Sequence, residues 1–348
     1  MQVINARNAQ EALPLALRLL DQKGILRDSR NGPVRVIPEP VTVVYSHPME
    51  RVIFWPERDA NPFFHLAESL WMIAGCNDVE FPARYAKQIA EYSDDGELLH
   101  GAYGYRWRNH FGIDQLSWIA KKLKGNPDDR RCVLAIWDAR ADLMRAGKDL
   151  PCNTIATLSR NHEGALDLTV FQRSGDAIWG VLGANVVHMS FMQEYVAMMI
   201  GCPVGTYHQV VSNFHAYVKV FDGLKSIGPD RMNYIRNPYV DKRVSVASMG
   251  TDLLRADRAI GDLLHSAYHD LNRKSLSSEP FFQIASAMMH AHQAWRLGLD
   301  EERYITALRI LSEQPQDNDW IVAGTEWLQR RHDKWKQRFI LTGDQEVK

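Results

Sequence analysis

The sequence predicts an α/β (α+β) fold: a layered domain of strands and helices, followed by a C-terminal helical extension. Short runs rich in β-branched residues alternate with helical patterns over residues 1–245. Such alternation is typical of a domain built from layers of strands and helices. From about residue 251 onward only helical spacing of leucine and aromatic residues recurs. We therefore divide the chain into a layered domain, 1–245, and a helical extension, 246–348.

The elements at the N-terminal end follow from their start and stop signals. An amphipathic helix begins near Asn8, and residues 30–33 form a turn. Prolines punctuate the Val- and Ile-rich stretch 34–55, which suits strand ends and edges better than a helix. The pair Asn61-Pro62 starts a second helix, because asparagine is a good cap and proline is favoured at the first helical position.

The same signals place the remaining elements. A polar, glycine-containing loop covers residues 93–104, and Asp114 caps a helix over 115–124. Residues 185–200 are apolar enough for a buried helix. The β-rich runs predict strands at 132–137, 154–159, 165–172 and 206–212, and the helices of the extension lie within 253–264, 281–297, 304–311 and 320–339.

Composition and charge argue against several classes of protein. Lys plus Arg number 41 and Asp plus Glu 42, so a net charge of -1 gives no global field to attract nucleic acid or a membrane surface. No apolar run reaches the roughly 20 residues that span a bilayer, and the N-terminus lacks a signal-peptide pattern. We expect a cytoplasmic protein without a bound metal, because the cysteines suit neither a zinc knuckle nor a disulfide framework. They are Cys76, Cys132, Cys152 and Cys202.

A cysteine beside a proline, followed about twenty residues later by an arginine, is the most informative pattern. Taken alone, Pro151-Cys152 fits an ordinary buried thiol, since free cysteine usually behaves as a small hydrophobic residue. A nucleophilic cysteine needs a lowered pKa, which a guanidinium held nearby would supply. Arg173 can do this only if the fold brings two strands together, which the spacing permits.

Six segments resemble the motifs of the thymidylate synthase family, which includes the pyrimidine nucleotide hydroxymethylases. Residues 172–176 (Gln-Arg-Ser-Gly-Asp), preceded by Pro151-Cys152, are similar to the active-site signature of the family. The segments occur in the family's order, with near-family spacing across roughly residues 1–225, and chance agreement of six is not expected. The others are Glu68-Ser69-Leu70-Trp71, 103–108 (Tyr-Gly-Tyr-Arg-Trp-Arg), Asp114-Gln115, 127–131 (Pro-Asp-Asp-Arg-Arg) and His215-Ala216-Tyr217.

The resemblance implies a layered fold with a large mixed sheet flanked by helices. It also implies transfer of a one-carbon unit from methylenetetrahydrofolate, as co-substrate, to C5 of a pyrimidine nucleotide. Cys152 would attack C6 as a thiolate, and Arg173 would lower the pKa of that thiol and contact phosphate. Glu68 would relay protons at the base through ordered water, and Tyr103 would assist removal of the C5 proton. Asp176 would face the pterin. Glu68 also stands among apolar neighbours, where a carboxylate is costly unless it is paired or functional.

The binding residues implied by the resemblance are polar groups suited to a nucleotide. Guanidinium forks bind phosphate oxygens bidentately. In the family a double arginine reaches in from the other subunit, so the resemblance implies a homodimer with shared sites. The phosphate clamp would be Arg30, Ser174, Arg130 and Arg131 with Arg173, Gln172 would contact the substrate, and His215 and Tyr217 would hold the ribose hydroxyl.

The choice of base depends on a single position that lies further along the chain than the arginine motif. An asparagine amide offers a donor and an acceptor that complement the O4 and N3–H groups of uracil. Asn185 therefore favours a uracil nucleotide, whereas members acting on cytosine tend to carry aspartate. The loop 180–185 is one residue longer than that of the family and lacks its proline. If Ala184 were the equivalent position, the assignment of the base would lose its support.

Two departures from the family favour a hydroxymethyl product. Ile89 and Tyr92 stand where synthases carry a tryptophan pair that lines the folate site, and Ile89 would shield an exocyclic methylene from water less well. The segment 341–348 also lacks the apolar tail that closes over the folate. A tail that closes would exclude water and commit the intermediate to hydride transfer. The lack of this apolar tail therefore favours capture of the intermediate by water.

The leading hypothesis is therefore C5 hydroxymethylation of dUMP. Three alternatives stay open: a thymidylate synthase proper that transfers hydride, a dCMP hydroxymethylase, and a non-catalytic nucleotide- or RNA-binding protein that kept the fold. His188, His208 and Trp179 match no motif and are assigned to packing. Residues 251–348 receive no functional assignment.

Overall fold

Two sheets form the layered part of the protein, seen in a computed structural model that describes residues 1–228, 237–271 and 277–342, with side chains to residue 337. The larger sheet is mixed, with two parallel and three antiparallel pairings, as predicted. Its spatial order is β1 (Gln2–Ala6), β4 (Val41–Tyr45), β9 (Val204–Val211), β7 (Leu166–Gln172), β6 (Asn153–Arg160) and β5 (Val133–Ala135).

The smaller sheet brings together segments that are far apart in the chain. The strand β10 is parallel to β8, pairing His215 with Asp176, and antiparallel to β3, pairing His215 with Val36. The N-terminal turn and the two C-terminal motifs of the layered domain therefore meet at one place. The order of strands is β2 (Ile25–Arg27), β3 (Val34–Val36), β10 (Phe214–Tyr217) and β8 (Gly175–Asp176).

The helices of the layered domain begin at the predicted caps. The side-chain oxygens of Asn8, Asn61 and Asp114 each accept a hydrogen bond from a backbone N–H three residues later. These bonds satisfy donors that have no partner within the helix itself. The helices are α1 (Ala9–Lys23), α2 (Pro62–Ile73), α3 (Glu80–Ala83), α4 (Tyr103–Arg108), α5 (Gln115–Gly125), α6 (Ala139–Asp142), α7 (Asn185–Ile200) and α8 (Val218–Leu224).

Helix α7 forms the centre of the domain and confirms the prediction of a buried helix. It packs against α2, α5 and the larger sheet, and nearly all of its residues are buried. A helix that is apolar on every face is expected in such a position. Gly201 ends it with a φ of 82°, a left-handed conformation that glycine adopts without strain.

The C-terminal helices pack directly on α2. Phe63 of that helix contacts both Trp327, with ring centroids 5.4 Å apart, and His292, at 5.5 Å. The helical character of residues 251–271 and 277–342 is confirmed, while the separation of the extension from residues 1–245 as a distinct domain stays a prediction. These helices are α9 (Leu253–Tyr268), α10 (Pro280–Leu297), α11 (Glu302–Ser312) and α12 (Asp319–Thr342).

Some elements differ from the expectations. Residues 34–55 contain only β3 and β4, because the prolines end each strand early. The loop prediction 93–104 overruns the start of α4, and β1, β8 and β10 were not predicted. Residues 343–348, most of the C-terminal segment 341–348, lie outside the described residues. Among the described helices, none is long and apolar enough to cross a membrane.

Candidate active site

The pairing of β6 with β7 brings Cys152 and Arg173 together. Asn153 and Gln172 are partners in the ladder, and the Gln172 amide donates to Oδ1 of Asn153 at 2.6 Å. One residue beyond this pair, the backbone N–H of Arg173 donates to the Cys152 carbonyl at 3.0 Å. The Arg173 guanidinium Nη2 lies 4.0 Å from the Cys152 Sγ. The contact that the spacing permitted is therefore present.

The Arg173 guanidinium is anchored on one edge and exposed on the other. Its Nε donates to the Pro151 carbonyl at 3.0 Å, and Nη2 donates to the Leu150 carbonyl at 3.1 Å. The group also lies 5.6 Å from the centre of the Trp137 ring. An anchored but exposed guanidinium can bind an anion without first losing its orientation, which lowers the entropic cost of binding.

The thiol of Cys152 is less acidic than expected. Burial raises its pKa above the ordinary value, and the positive charge of Arg173 opposes that effect without overcoming it. The carboxylates of Asp149 and Asp176 add to the rise. Arg173 thus acts on the thiol pKa in the predicted direction, but the net shift in the chain alone is upward, because desolvation of the sulfur outweighs a guanidinium that is itself exposed to water.

The phenol of Tyr103 lies beside the nucleophile, at the start of α4. Burial and then the neighbouring Cys152 raise its pKa, while the backbone N–H groups of Asn153 and Cys152 bond to it and oppose the rise. A phenol in this environment stays protonated near neutral pH. It can therefore orient a water molecule or a substrate group next to Cys152 by hydrogen bonding.

Asp176 has one satisfied and one unsatisfied carboxylate oxygen. Its Oδ1 accepts from the backbone N–H of Ile178 at 2.8 Å and of Trp179 at 2.6 Å. Its Oδ2 is buried with no hydrogen-bond partner in the described residues. Burial raises the pKa of Asp176, and those two bonds and the nearby His215 only partly offset it. A buried acceptor without a partner can accept a hydrogen bond from a donor group of a ligand.

The small sheet places the sugar- and phosphate-binding candidates beside Asp176. His215 is its ladder partner, and the ring of His215 meets Tyr217 edge to face at 5.8 Å. The Asn31 amide donates to the Tyr217 hydroxyl at 3.3 Å. That bond ties the turn bearing Arg30, whose side chain is exposed, to the same end of the sheet.

Ile89 and Tyr92 lie in a segment that covers the same region. Ile89 belongs to a short 3-10 helix, Lys87–Glu91, and packs against the core from a half-buried position. Tyr92 is 51% exposed, yet burial of its hydroxyl and then the charges of Tyr217 and Asp176 raise its pKa. Tyr92 is therefore close to these two residues, although they are more than eighty positions away in the chain.

The loop before Asn185 forms a π-helical segment, Ala177–Ala184. The N–H of Asn185 bonds to the carbonyl of Gly180, five residues earlier, and Gly183 breaks the helical conformation with φ −123° and ψ −111°. A π-helical turn holds one more residue than an α-helical turn, which accommodates the longer loop. Asn185 is 8% exposed, and its amide has no hydrogen-bond partner among the residues described.

Glu68 makes its closest polar contact with His188, a residue that was assigned to packing. Oε2 of Glu68 lies 2.8 Å from Nε2 of His188, and both side chains are more than nine-tenths buried. His188 is buried, in line with its assignment to packing, but its polar contact with Glu68 was not predicted. Sequence reasoning missed it because it matches no motif, although its place three residues after Asn185 puts both on one face of α7.

Trp179 and the unpredicted Arg58 form a second contact next to Asp176. Arg58 is 3% exposed, donates to the Ile178 carbonyl at 3.0 Å and lies 4.3 Å above the Trp179 ring. Burial lowers the pKa of Arg58 to about 10, while Asp176 and Asp59 act against this. Trp179 is 50% exposed, and the part of its ring that packs does so against Arg58. His208 is half-buried on β9.

The side chains of the remaining candidates form no hydrogen bond with Cys152 or Arg173 within the described part of the chain. Ser174 is half-buried, and Arg130 and Arg131 are exposed. Arg131 bonds to both oxygens of Asp129, at 2.9 and 2.7 Å. The double arginine lies near Leu158, six residues along β6 from Cys152, which corresponds to about 20 Å at the usual rise per residue. Among the described residues no three His, Cys, Asp or Glu side chains are grouped as metal ligands.

Comparison with known proteins agrees with this geometry. The family model described as thymidylate synthase matches residues 58–241. A protein named deoxyuridylate hydroxymethyltransferase, from Pseudomonas phage M6, is 46% identical over 342 residues, which cover 97% of each chain. Proteins of the same name from Bacillus phage SP01 and Delftia phage PhiW-14 are 37% and 30% identical, over 51% and 57% of this chain and 49% and 57% of their own. This chain belongs to the thymidylate synthase family.

Proposed function

We propose that this chain is a deoxyuridylate hydroxymethyltransferase, which adds a one-carbon unit to C5 of dUMP and completes the reaction with water. The observation that carries the proposal is the 4.0 Å contact between the Cys152 sulfur and the Arg173 guanidinium, beside Tyr103 and Asp176. A thiol nucleophile, a cation and a buried carboxylate are the groups that such a reaction needs. The similarity over nearly the full length to the enzyme of that name from Pseudomonas phage M6 supports the same function.

Cys152 is proposed to bond to C6 of the base, which makes C5 electron-rich. Because burial keeps the thiol protonated in the chain alone, its proton must leave as the nucleotide binds. Arg173 stabilises the thiolate and binds phosphate together with Arg30 and Ser174. Gln172, buried at the base of the same strand pair, fixes the position of the two motifs and contacts the substrate.

Asn185 is proposed to read the base. Its amide is almost fully buried and has no hydrogen-bond partner in the described part of the chain, so it is available to the O4 and N3–H groups of uracil. Ala184, the alternative position, has no polar group that could do this. His215 and Tyr217 are proposed to hold the ribose hydroxyl, and Tyr103 to assist removal of the proton from C5.

The one-carbon donor of the family is methylenetetrahydrofolate, which supplies an electrophilic methylene group. The residues present fit a pterin: Asp176 offers a buried oxygen without a partner, and a pterin presents N–H donors. Ile89 and Tyr92 are proposed to line the same site. Ile89 is smaller than an indole, which leaves room for water at the exocyclic methylene, and this favours the hydroxymethyl product.

The assembly is proposed to be a homodimer in which Arg130 and Arg131 complete the partner's phosphate site. Their exposure, and their distance of about 20 Å from Cys152 in the same chain, support a role across an interface. We further propose that the enzyme works in the host cytoplasm, since the similar proteins come from phages and Cys152 must stay reduced. No membrane or nucleic-acid partner is proposed.

Mass spectrometry of the nucleotide product tests the proposal. The full-length protein is incubated with methylenetetrahydrofolate and with dUMP or dCMP, side by side. A gain of CH2O on dUMP, without the near-ultraviolet absorbance of dihydrofolate, is expected. A gain of CH2 with stoichiometric dihydrofolate would identify a thymidylate synthase instead, and reaction of dCMP alone would identify a cytosine enzyme.

The Cys152→Ser variant is the control for covalent catalysis. It should lose turnover but keep its affinity for dUMP within about tenfold, because the hydroxyl preserves the shape of the site. Unchanged turnover in this variant would overturn the assignment of the nucleophile. Tight binding of dUMP by the unmodified protein with no product at all would favour a non-catalytic nucleotide-binding protein.

A further inference from the structure

Glu68 and His188 form a buried pair that bridges α2 and α7. Their atoms Oε2 and Nε2 are 2.8 Å apart, and the side chains are 8% and 3% exposed. At this distance an N–H of the His188 ring can donate to the carboxylate, whereas two lone pairs facing one another would repel. The pair therefore places a carboxylate against an imidazole where there is little access to water.

The pair has hydrogen-bonding capacity that the described residues do not use. Oε2 of Glu68 and both ring nitrogens of His188 are buried without a well-aligned hydrogen bond. Buried polar groups are nearly always satisfied, and unsatisfied ones often indicate an ordered water or a ligand. The second carboxylate oxygen of Glu68, Oε1, is not among these fully buried atoms, and it is the oxygen that could accept from a water.

The neighbours of the pair place it beneath the proposed base site. Asn185 lies one turn before His188 on the same face of α7, and His65 lies one turn before Glu68 on α2. Arg58 is the nearby cation: desolvation, and then the charges of Arg58 and His188, hold the pKa of His65 well below its usual range. His65 therefore stays neutral and adds no positive charge beside Glu68 and His188.

Resting on the proposed function, we propose that His188 is a positioning residue that holds Glu68 ready to activate the water in the final step. The water oxygen bonds to the exocyclic carbon, and its proton passes to Oε1 of Glu68. The electron pair of the exocyclic double bond moves to C4–O4 and then into a new C5–C6 double bond, which expels the Cys152 thiolate. Atoms and charge balance, and no reductant is needed.

Two substitutions at position 188 separate this role from simple packing. His188→Leu keeps an apolar bulk of similar size but removes the donor, leaving a buried carboxylate without a partner, which favours its neutral form. His188→Gln keeps an N–H donor. His292→Leu is the matched control, because His292 of the extension is also buried, with the pKa of its ring lowered to about 3 by burial, and it stacks on Tyr85 of the layered domain.

The experiment uses the full-length protein and measures what fraction of the methylene intermediate is captured by water. Tritium released from dUMP labelled at C5 counts the turnovers that reach the intermediate, and mass spectrometry counts hydroxymethyl product. Added 2-mercaptoethanol traps intermediate that water has not captured, as a thioether. These ratios do not depend on how much of a variant folds.

His188→Leu should lower hydroxymethyl product per tritium released by about tenfold or more, with thioether in its place, as expected for loss of a positioned base. His188→Gln should restore the ratio to within about threefold of the unsubstituted protein, and His292→Leu should not change it. An unchanged ratio in His188→Leu, or an equal loss in His188→Gln or in the control, would overturn the proposal. A methyl product from the unsubstituted protein would instead contradict the proposed function itself.

Discussion

Replacement of Arg173 by glutamine tests whether the guanidinium promotes ionisation of Cys152. In the chain alone, burial raises the pKa of the thiol and the Arg173 charge works against that rise. Removing the charge while keeping a similar polar shape should therefore raise the pKa of Cys152 further. Since only the thiolate reacts with alkylating agents, the reaction of Cys152 should slow at any pH below that pKa.

The size of the effect follows from the distance between the two groups. At 4.0 Å, two unit charges interact by about 4 kcal/mol at an effective dielectric of about 20, and by about 1 kcal/mol in bulk water. Arg173 is exposed, so solvent screening favours the lower part of this range, about 1 to 2 kcal/mol. That corresponds to about one pKa unit, or about tenfold in thiolate at neutral pH.

The assay is the rate of iodoacetamide modification of the peptide that contains Cys152, measured by mass spectrometry as a function of pH. Arg160→Gln provides a matched control, because Arg160 opposes the burial that raises the pKa of Cys202. This variant should slow Cys202 and leave Cys152 unchanged. If Arg173→Gln moves the midpoint for Cys152 by less than about 0.3 pKa units, the electrostatic reasoning fails.

Three other predictions concern the base, the product and the extension. Asn185→Asp should lower kcat/KM for dUMP by about 100-fold and raise that for dCMP, since a carboxylate cannot donate to O4; steady-state kinetics with both nucleotides would show it. Ile89→Trp should shift the product from hydroxymethyl towards methyl, and an unchanged product mass ratio would contradict the shielding argument. Asp59→Asn should lower the free energy of unfolding in urea by about 1 kcal/mol, because Arg331 loses a half-buried carboxylate. Burial would raise the pKa of Asp59, but its cationic partners lower it overall. The difference in free energy of unfolding between variant and parent should therefore persist above the usual aspartate pKa of 3.8. It should vanish as the pH falls through the lower pKa of Asp59 in the folded protein.

The parts of the fold that were predicted are those set by local signals. Asn61 and Asp114 cap their helices as expected, because capping involves only residues within one turn. The apolar run 185–200 is a buried helix with the expected bounds, since an element that is apolar on all faces can only lie inside. In contrast, β8 and β10 are short and depend on pairing with distant segments, and so carry no local signal of their own.

The features of the site can also be separated into those that the sequence predicted and those that depend on the packed fold. The Cys152–Arg173 contact was anticipated from spacing and resemblance, and the strand register places it. The direction of the thiol pKa was not, because desolvation depends on how many atoms surround the sulfur, which only the packed fold determines. His188 and Arg58 were missed for a similar reason: each acquires its role from a partner on another helix or loop, and no short motif records such a contact.

The C-terminal extension is connected to the site through one aspartate. Asp59 has a left-handed backbone conformation, with φ 46°, and its carboxylate bonds to Arg331 of α12 at 2.8 Å and to Arg330 at 3.2 Å. The residue before it is Arg58, which bonds to the Ile178 carbonyl, and Ile178 in turn donates its N–H to Asp176. Three successive hydrogen-bonded contacts, at Asp59, at Arg58 and at Ile178, therefore link α12 to the carboxylate proposed to face the pterin. The extension has no motif of its own, yet it affects the geometry of the site, because α12 holds Asp59, the residue next to Arg58.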